Sequence, residues 1–291
     1  NTVRGFDQNS RLDKGVYVAA GWESESTVSE IKITKNTVSN AGTGLKVFHA
    51  PVDPQTSHIR IYKNIITDVT DGIIAIRPQH VTIQQNTIKQ LTGHGIKLER
   101  SLGISTNNNV TDNTLLGTGG ICLECDGEGY SNENPCIRGT TVTGNTMNNI
   151  LVPYDPGYQK CILLEIKTGV VGTKTYHNTA ITGCPDGWYR ARDNGKDNGY
   201  SDAEFTPSAG GNYWDNYSGT DTNGDGFGDT PYVIHDKYGT KTGEDKFPLM
   251  GNAGSISVNP TAVDFGDVAV ATIGGSSIGA GNGSRQVTIS N

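Results

Sequence analysis

Val81-Thr-Ile-Gln-Gln-Asn86-Thr-Ile-Lys-Gln-Leu-Thr-Gly93-His-Gly95-Ile-Lys-Leu98 holds two short alternating apolar runs, each with its own breaker. Val81, Ile83 and Ile88 fall on one side, Asn86 interrupts, Gly93 and Gly95 punctuate, and Ile96 and Leu98 resume. Period-two alternation of this kind predicts half-buried strands rather than helix. The same pattern is written several times over. Ile31 to Val38 carries Asn36, Ile59 to Ile66 carries Asn64, Val110 to Leu115 carries Asn113, Val142 to Met147 carries Asn145, and a weaker copy at Thr175 to Ile181 carries Asn178. Gly44, Gly72 and Gly120 open the second run of their copies. A recurrence every 22–33 residues signals a solenoid. A single short repeat has no partner for its apolar face, so the copies must stack on a continuous core. With two or three strands per copy and no helical period, the expected fold is all-β, a right-handed parallel β-helix. The recurrent asparagine is expected at turns, where it tolerates left-handed backbone angles and bonds nearby backbone. On successive coils such side chains also form an amide ladder. The competing arrangement is an antiparallel sandwich with Asn-rich turns.

These lines resemble the parallel β-helix repeats of pectate-lyase-like and NosD-like proteins over residues 1–185. That fold hosts lyases, hydrolases, adhesins and passive surface proteins alike, so the resemblance implies architecture more than activity.

Composition narrows the classes. The chain has 291 residues, enough for one elongated domain and a small one, and a net charge of −7. Its acidic residues are dispersed and no basic stripe is present, which argues against nucleic acid. No apolar run reaches membrane-spanning length. Among five cysteines, Cys125 and Cys136 flank a polar insertion that a disulfide would staple. Cys161 and Cys184 lie about one coil apart and would form a second bridge. That usage favours an oxidising, extracellular or cell-surface setting and leaves Cys122 over. Cys122-x-x-Cys125 also suggests metal or redox chemistry, but no second pair has zinc-site spacing.

Aligning the strands that begin at Gly95, Gly120 and Cys161 puts Glu99, Glu124 and Glu165 at one offset, a carboxylate column rising about 4.8 Å per coil. Crowded carboxylates repel and raise at least one pKa unless a cation sits among them. The readings are a calcium site, a general acid/base pair, or a solvated column of surface charge. A finer resemblance runs through Asp71-Gly72, Gly93-His94-Gly95 and Glu165-Ile-Lys167, which is similar to the motifs of polygalacturonase-type glycosidases. It implies Asp71 as a catalytic acid, His94 as its supporting imidazole and Lys167 as a contact to a substrate carboxylate. Gly72 stands where that family has its second Asp, and Glu165 where it has Arg. An inverting hydrolase needs two carboxyls.

Beyond the repeats, Gly210-Gly-Asn-Tyr213-Trp214-Asp-Asn-Tyr217 leads into Asp221-Thr-Asn223-Gly-Asp225-Gly-Phe227-Gly-Asp229. Hard oxygen ligands on alternate residues, with Gly at the turn, predict an EF-hand-like Ca2+ loop. Its ligands are Asp221, Asn223, Asp225, the Phe227 carbonyl and Asp229. Tyr232 occupies the position of the usual terminal Glu, which points to a structural, extracellular-affinity site. Tyr213, Trp214 and Tyr217, with Trp22 at the other end, are expected either to contact sugar rings or to cap the open core. The segment resembles the C-terminal part of NosD-like and archaeal surface β-helix proteins. Copper is disfavoured by the absence of clustered His, Cys or Met there. Residues 253–291 resemble the opening strands of an immunoglobulin-like sandwich, too few for a complete one. A chain opening mid-coil and stopping mid-sandwich is expected to be one segment of a larger surface polymer, or to be completed by strand addition from another copy or a neighbouring surface subunit.

The division expected is therefore a β-helix at 1–185, an aromatic and calcium-loop cap at 186–252, and a partial β-sandwich at 253–291. Two functions compete. One is a secreted, calcium-stiffened surface rod contacting a cell-envelope polysaccharide. The other is a polysaccharide lyase or glycoside hydrolase, with its cleft along Glu99, Glu124 and Glu165 beside Arg77, His94 and Lys167.

Overall fold

The structure is a computed structural model describing residues 2–4, 14–19, 30–48, 58–89, 93–100, 104–117, 119–126, 129–148, 162–181, 190–200, 210–236, 238–250, 257–258, 269–273, 276–280 and 289–290. Trp22, Cys161 and Cys184, and with the last two the second expected bridge, lie outside the described residues. The chain divides into two compact units, 1–253 and 254–291.

The first unit is a parallel β-helix whose coils repeat the alternation of the sequence as stacked faces. On one face, Glu30–Thr34, His58–Tyr62, Val81–Gln84, Asn109–Thr111, Thr141–Thr143 and Lys174–Tyr176 pair in that order, all parallel. Their register aligns Ile33, Ile61, Ile83, Val110 and Val142 in one inward column, each at most 6% exposed. The chain turns at the asparagine into a second face, where Val38, Ile66, Ile88, Leu115, Met147, Ala180 and Trp214 stack. A third face follows through Thr37–Phe48 and Ile65–Ile76, which bend across both, then Ile96–Arg100, Ile121–Cys125, Leu164–Ile166, Ala191–Asp193 and Tyr232–His235. Leu45, Ile73, Ile96, Ile121 and Leu164 fill its inner side. Ser105–Thr106, Ile137–Arg138 and Val170–Val171 add a short fourth face, so a full coil carries four strands where two or three were expected.

The asparagines form a continuous ladder. The Oδ1 of Asn64 accepts the backbone N–H and the Nδ2–H of Asn36, both at 3.0 Å. The pattern repeats from Asn64 to Asn86, Asn113, Asn145 and Asn178 at 2.9–3.0 Å. The left-handed turn residue, however, is the one before the asparagine: Lys35, Lys63, Gln85, Asp112, Gly144 and His177 have φ between 54° and 66°. The asparagine is there for its side-chain bonds, not its backbone tolerance.

The ladder also runs past residue 185. Asn178 donates to Asn212 at 2.9 Å, and Asn212 donates to the Asp245 carboxylate at 3.1 Å. The described residues between 190 and 250 thus carry a further coil and its closing hairpin, Tyr232–His235 against Lys241–Asp245, packed as one unit with the earlier coils. In the second unit, Ala269–Ile273 pairs antiparallel with Ser276–Ala280, and Ser257–Val258 with Ile289–Ser290.

Candidate functional site

The outward side chains of the third face form two columns, because residues two apart on a strand share a face and parallel pairing repeats each position on the next coil. Glu99 and Glu124 are in register, one above the other. Glu165 is not in that column. It pairs with Cys122, since Leu164 rather than Ile162 answers Ile121, and the strand resumes two residues later than its apparent start at Cys161. A two-residue shift keeps Glu165 on the same face but one column across. One column reads Lys97, Cys122, Glu165, Arg192; the other reads Glu99, Glu124, with Lys167 following as its amide bonds the Leu123 carbonyl at 3.0 Å.

This offset supplies the cations that three stacked carboxylates would lack. Lys97 Nζ lies 2.9 Å from Glu99 Oε2 and 2.6 Å from Glu124 Oε2, and Lys167 Nζ lies 2.5 Å from Glu124 Oε1. Arg192 Nη1 is 3.5 Å from Glu165 Oε1. Burial pushes the Glu124 carboxyl up, but the hydrogen bonds from Lys167 and Lys97 outweigh it and hold the group below the usual carboxylate range. Burial opposes the charge on Lys97, and its two glutamate partners still raise it.

The Gly93–Gly95 turn places His94 beside this face. The His94 amide donates to Asp71 Oδ1 at 3.0 Å, and ring Nδ1 lies 3.8 Å from the same oxygen. Despite burial, these bonds leave Asp71 below its ordinary pKa. Cys122 points outward yet is 1% exposed, roofed by its charged neighbours; burial and then Glu165 push its thiol up. One ligand atom each from His94, Cys122 and Glu165 lies within 4.8 Å of the others. Sequence spacing could not show this convergence, because the three residues sit on successive coils separated by loops of unequal length.

The expected Asp71, His94 and Lys167 lie on one face of the helix, but Lys167 is spent on Glu124 and Asp71 has no second aspartate beside it in the chain. Farther along the face, Arg77 sits 5.1 Å over the Phe48 ring. Arg100 is 6% exposed, its Nε and Nη1 have no hydrogen-bond partner among the described residues, and burial with Arg77 nearby lowers its pKa to about 10. The Cys125–Cys136 disulfide closes the insertion beside it.

At the C-terminal end, Trp214 is 2% exposed, stacks on Tyr232 with centroids 4.7 Å apart, and donates Nε1–H to Asp245 at 3.0 Å. Its faces are closed to sugar, which corrects the expected glycan contact there; it caps the core. Tyr217 is partly buried and its hydroxyl donates to the Thr230 carbonyl at 2.5 Å, while Tyr213 stays half-buried.

The 221–229 loop curls around its own oxygens. Asp221 accepts N–H bonds from Gly224, Asp225 and Gly226 at 2.7–3.1 Å, and Asn223 and Asp225 accept those of Asp225 and Phe227. Gly224 and Gly226 take φ of 73° and 89°, which the tight turn needs. Asp229 turns one oxygen to Thr220 and Thr222. The hard oxygens of this loop suit calcium in donor chemistry and do not suit copper; Asp221, Asn223, Asp225, Phe227 and Asp229 are the residues that would hold the ion.

Residues 8–184 match the family model described as the right handed beta helix region. No curated protein and no solved structure gives a significant match to the chain.

Proposed function

The chain belongs to the right-handed beta-helix family, and on that premise we propose that it is a secreted cell-surface rod, stiffened by calcium, that contacts an envelope polysaccharide without cleaving it. The observation carrying this reading is the state of the acidic face. Glu124 is clamped between Lys97 and Lys167 and held below the usual carboxylate range, as is Asp71 beside His94. A glycosidase needs a carboxyl raised toward neutral pH to protonate the leaving group, with a second one across the bond. Neither group offers that.

The rod reading is supported by the continuous core and ladder, which give a stiff scaffold, and by the oxygen-lined loop near its last coil. Arg100, buried next to Arg77 with two N–H groups unpaired among the described residues, supports contact with an anion such as a uronate carboxylate. The strands of residues 254–291 supply edges through which copies of the chain or a neighbouring subunit would join by strand addition.

The test is incubation with acidic and neutral polysaccharides, with and without calcium, following binding by affinity electrophoresis and cleavage by reducing-end and unsaturated-product release. Retardation by an acidic glycan with no product is expected. Product that disappears in Glu124→Gln would replace the rod by the lyase or hydrolase.

A further inference from the structure

Cys122 is the odd member of its column. Lys97, Glu165 and Arg192 in the same column keep 17–19% of their long side chains exposed, whereas this thiol, also outside the coil wall, is 1% exposed. What covers it is ligand chemistry. Glu165 Oε2 is 3.8 Å from Sγ, and His94 reaches over from the preceding coil. Both neighbours have outer partners of the kind that fix metal ligands. Arg192 takes the other oxygen of Glu165, and Asp71 sits at Nδ1 of His94, so the second ring nitrogen is the one that remains.

The backbone holds these groups in place. Gly119 donates its N–H to the Gly93 carbonyl at 2.9 Å, and a Cβ on Gly119 would meet that oxygen at 2.6 Å. Gly95 is bonded to the Gly120 carbonyl at 2.9 Å, and a Cβ on Gly120 would meet the Leu163 carbonyl. The turn bearing His94 therefore packs backbone against backbone on the coil bearing Cys122, and that coil on the one bearing Glu165.

We propose that His94, Cys122 and Glu165 form a site for a zinc-class divalent transition metal, separate from the calcium loop. Nitrogen, sulfur and carboxylate oxygen are the zinc ligand set, and three protein ligands leave a fourth position open to water or a small ligand. Tetrahedral bonds of about 2.0–2.3 Å place ligand atoms roughly 3.3–3.8 Å apart. The Sγ–Oε2 pair already meets that, and the half-exposed His94 ring has to close by about 1 Å from the 4.8 Å limit. Binding replaces the S–H bond with an S–metal bond and releases that proton to solvent, with no change of oxidation state. Lys97, the cation nearest in register, is drawn away to Glu99 and Glu124.

The probe is Co2+ titrated into the full metal-stripped chain. The expected result is one equivalent bound with a thiolate-to-cobalt charge-transfer band and the strong visible absorption of a four-coordinate ion. Zn2+ should displace it and Ca2+ should not. The band should vanish in Cys122→Ser and weaken at least tenfold in affinity in His94→Gln, whose half-exposed ring limits the cost to folding, as melting would verify. It should persist in a Cys161→Ser, Cys184→Ser double variant. A missing band, a band that survives Cys122→Ser, or one that follows Cys161 and Cys184 would overturn the site.

Discussion

Asp245 ends the asparagine ladder on a charge. Its Oδ2 accepts from the Asn212 amide, Asn212 Nδ2 and Trp214 Nε1, and its Oδ1 accepts from the Phe247 amide at 3.2 Å. Burial outweighs these donors and lifts the carboxyl from 3.8 to about 6. A folded pKa above the unfolded one means the folded state holds the extra proton, so this group adds stability below pH 3.8 that is lost as pH rises to about 6. The difference is on the order of 3 kcal/mol. Denaturant titrations from pH 4 to 7 should show that loss in the native chain and not in Asp245→Asn; equal slopes would mean that the carboxyl is ionised throughout. Inside the ladder the neutral residues matter differently. Asn113→Ala strands the Asn86 amide, Asn86 Nδ2 and the Ile83 carbonyl in a buried site. At about 1–3 kcal/mol for each orphaned group, the cost should be at least about 3 kcal/mol in urea unfolding. A loss under 1 kcal/mol would show that water replaces the amide.

At the scale of the strand, what matters is register. Period-two alternation, the recurring Asn and the punctuating Gly were enough to read the coils, because each is a local requirement of a turn or a pleat. The match of Glu165 to Cys122 was not readable, because the 151–160 insertion hides where the strand resumes. The end of the ladder is not legible in the sequence for a related reason: Asn212 sits in an atypical coil, and Asp245 is no longer an asparagine. The consequence of register is the Lys97–Glu124–Lys167 network. Its partners are partly exposed, so solvent screening limits each pair to about 1 kcal/mol or less. Glu124→Gln should therefore cost about that much at neutral pH, and less in high salt. Because the Glu124 pKa is depressed, its contribution is present above pH 4.5 and disappears as pH falls further. Thermal melts at two salt concentrations test this, and a salt-independent loss would point to packing instead.

For the whole first unit, the weak place of a solenoid is its end, where core side chains lack a following coil. Here the end is closed by Trp214 on Tyr232, by Asp245 under the ladder, and by the 221–229 loop. That loop is tied in through Gly226 O accepting from Met250 N at 3.0 Å and Gly228 N donating to Pro248 O at 2.8 Å. The same 247–249 stretch supports the ladder, since Phe247 O accepts from Gly211 N and Leu249 N donates to Asn212 O, both at 2.9 Å. Ordering the loop thus orders the 247–250 stretch that also holds Gly211 and Asn212. An ion that binds only the folded loop stabilises it by mass action, about 2.7 kcal/mol at a hundred times the dissociation constant. Melting in calcium against chelator should then show a rise of several degrees that is concentration-dependent and absent from Asp221→Asn, Asp225→Asn. Because the loop and the ladder residue Asn212 both bond to the 247–250 stretch, calcium should also slow amide exchange at Asn212 and Trp214, beyond the loop itself. Protection confined to 221–229 would leave the loop as a surface ion site with no part in closing the helix.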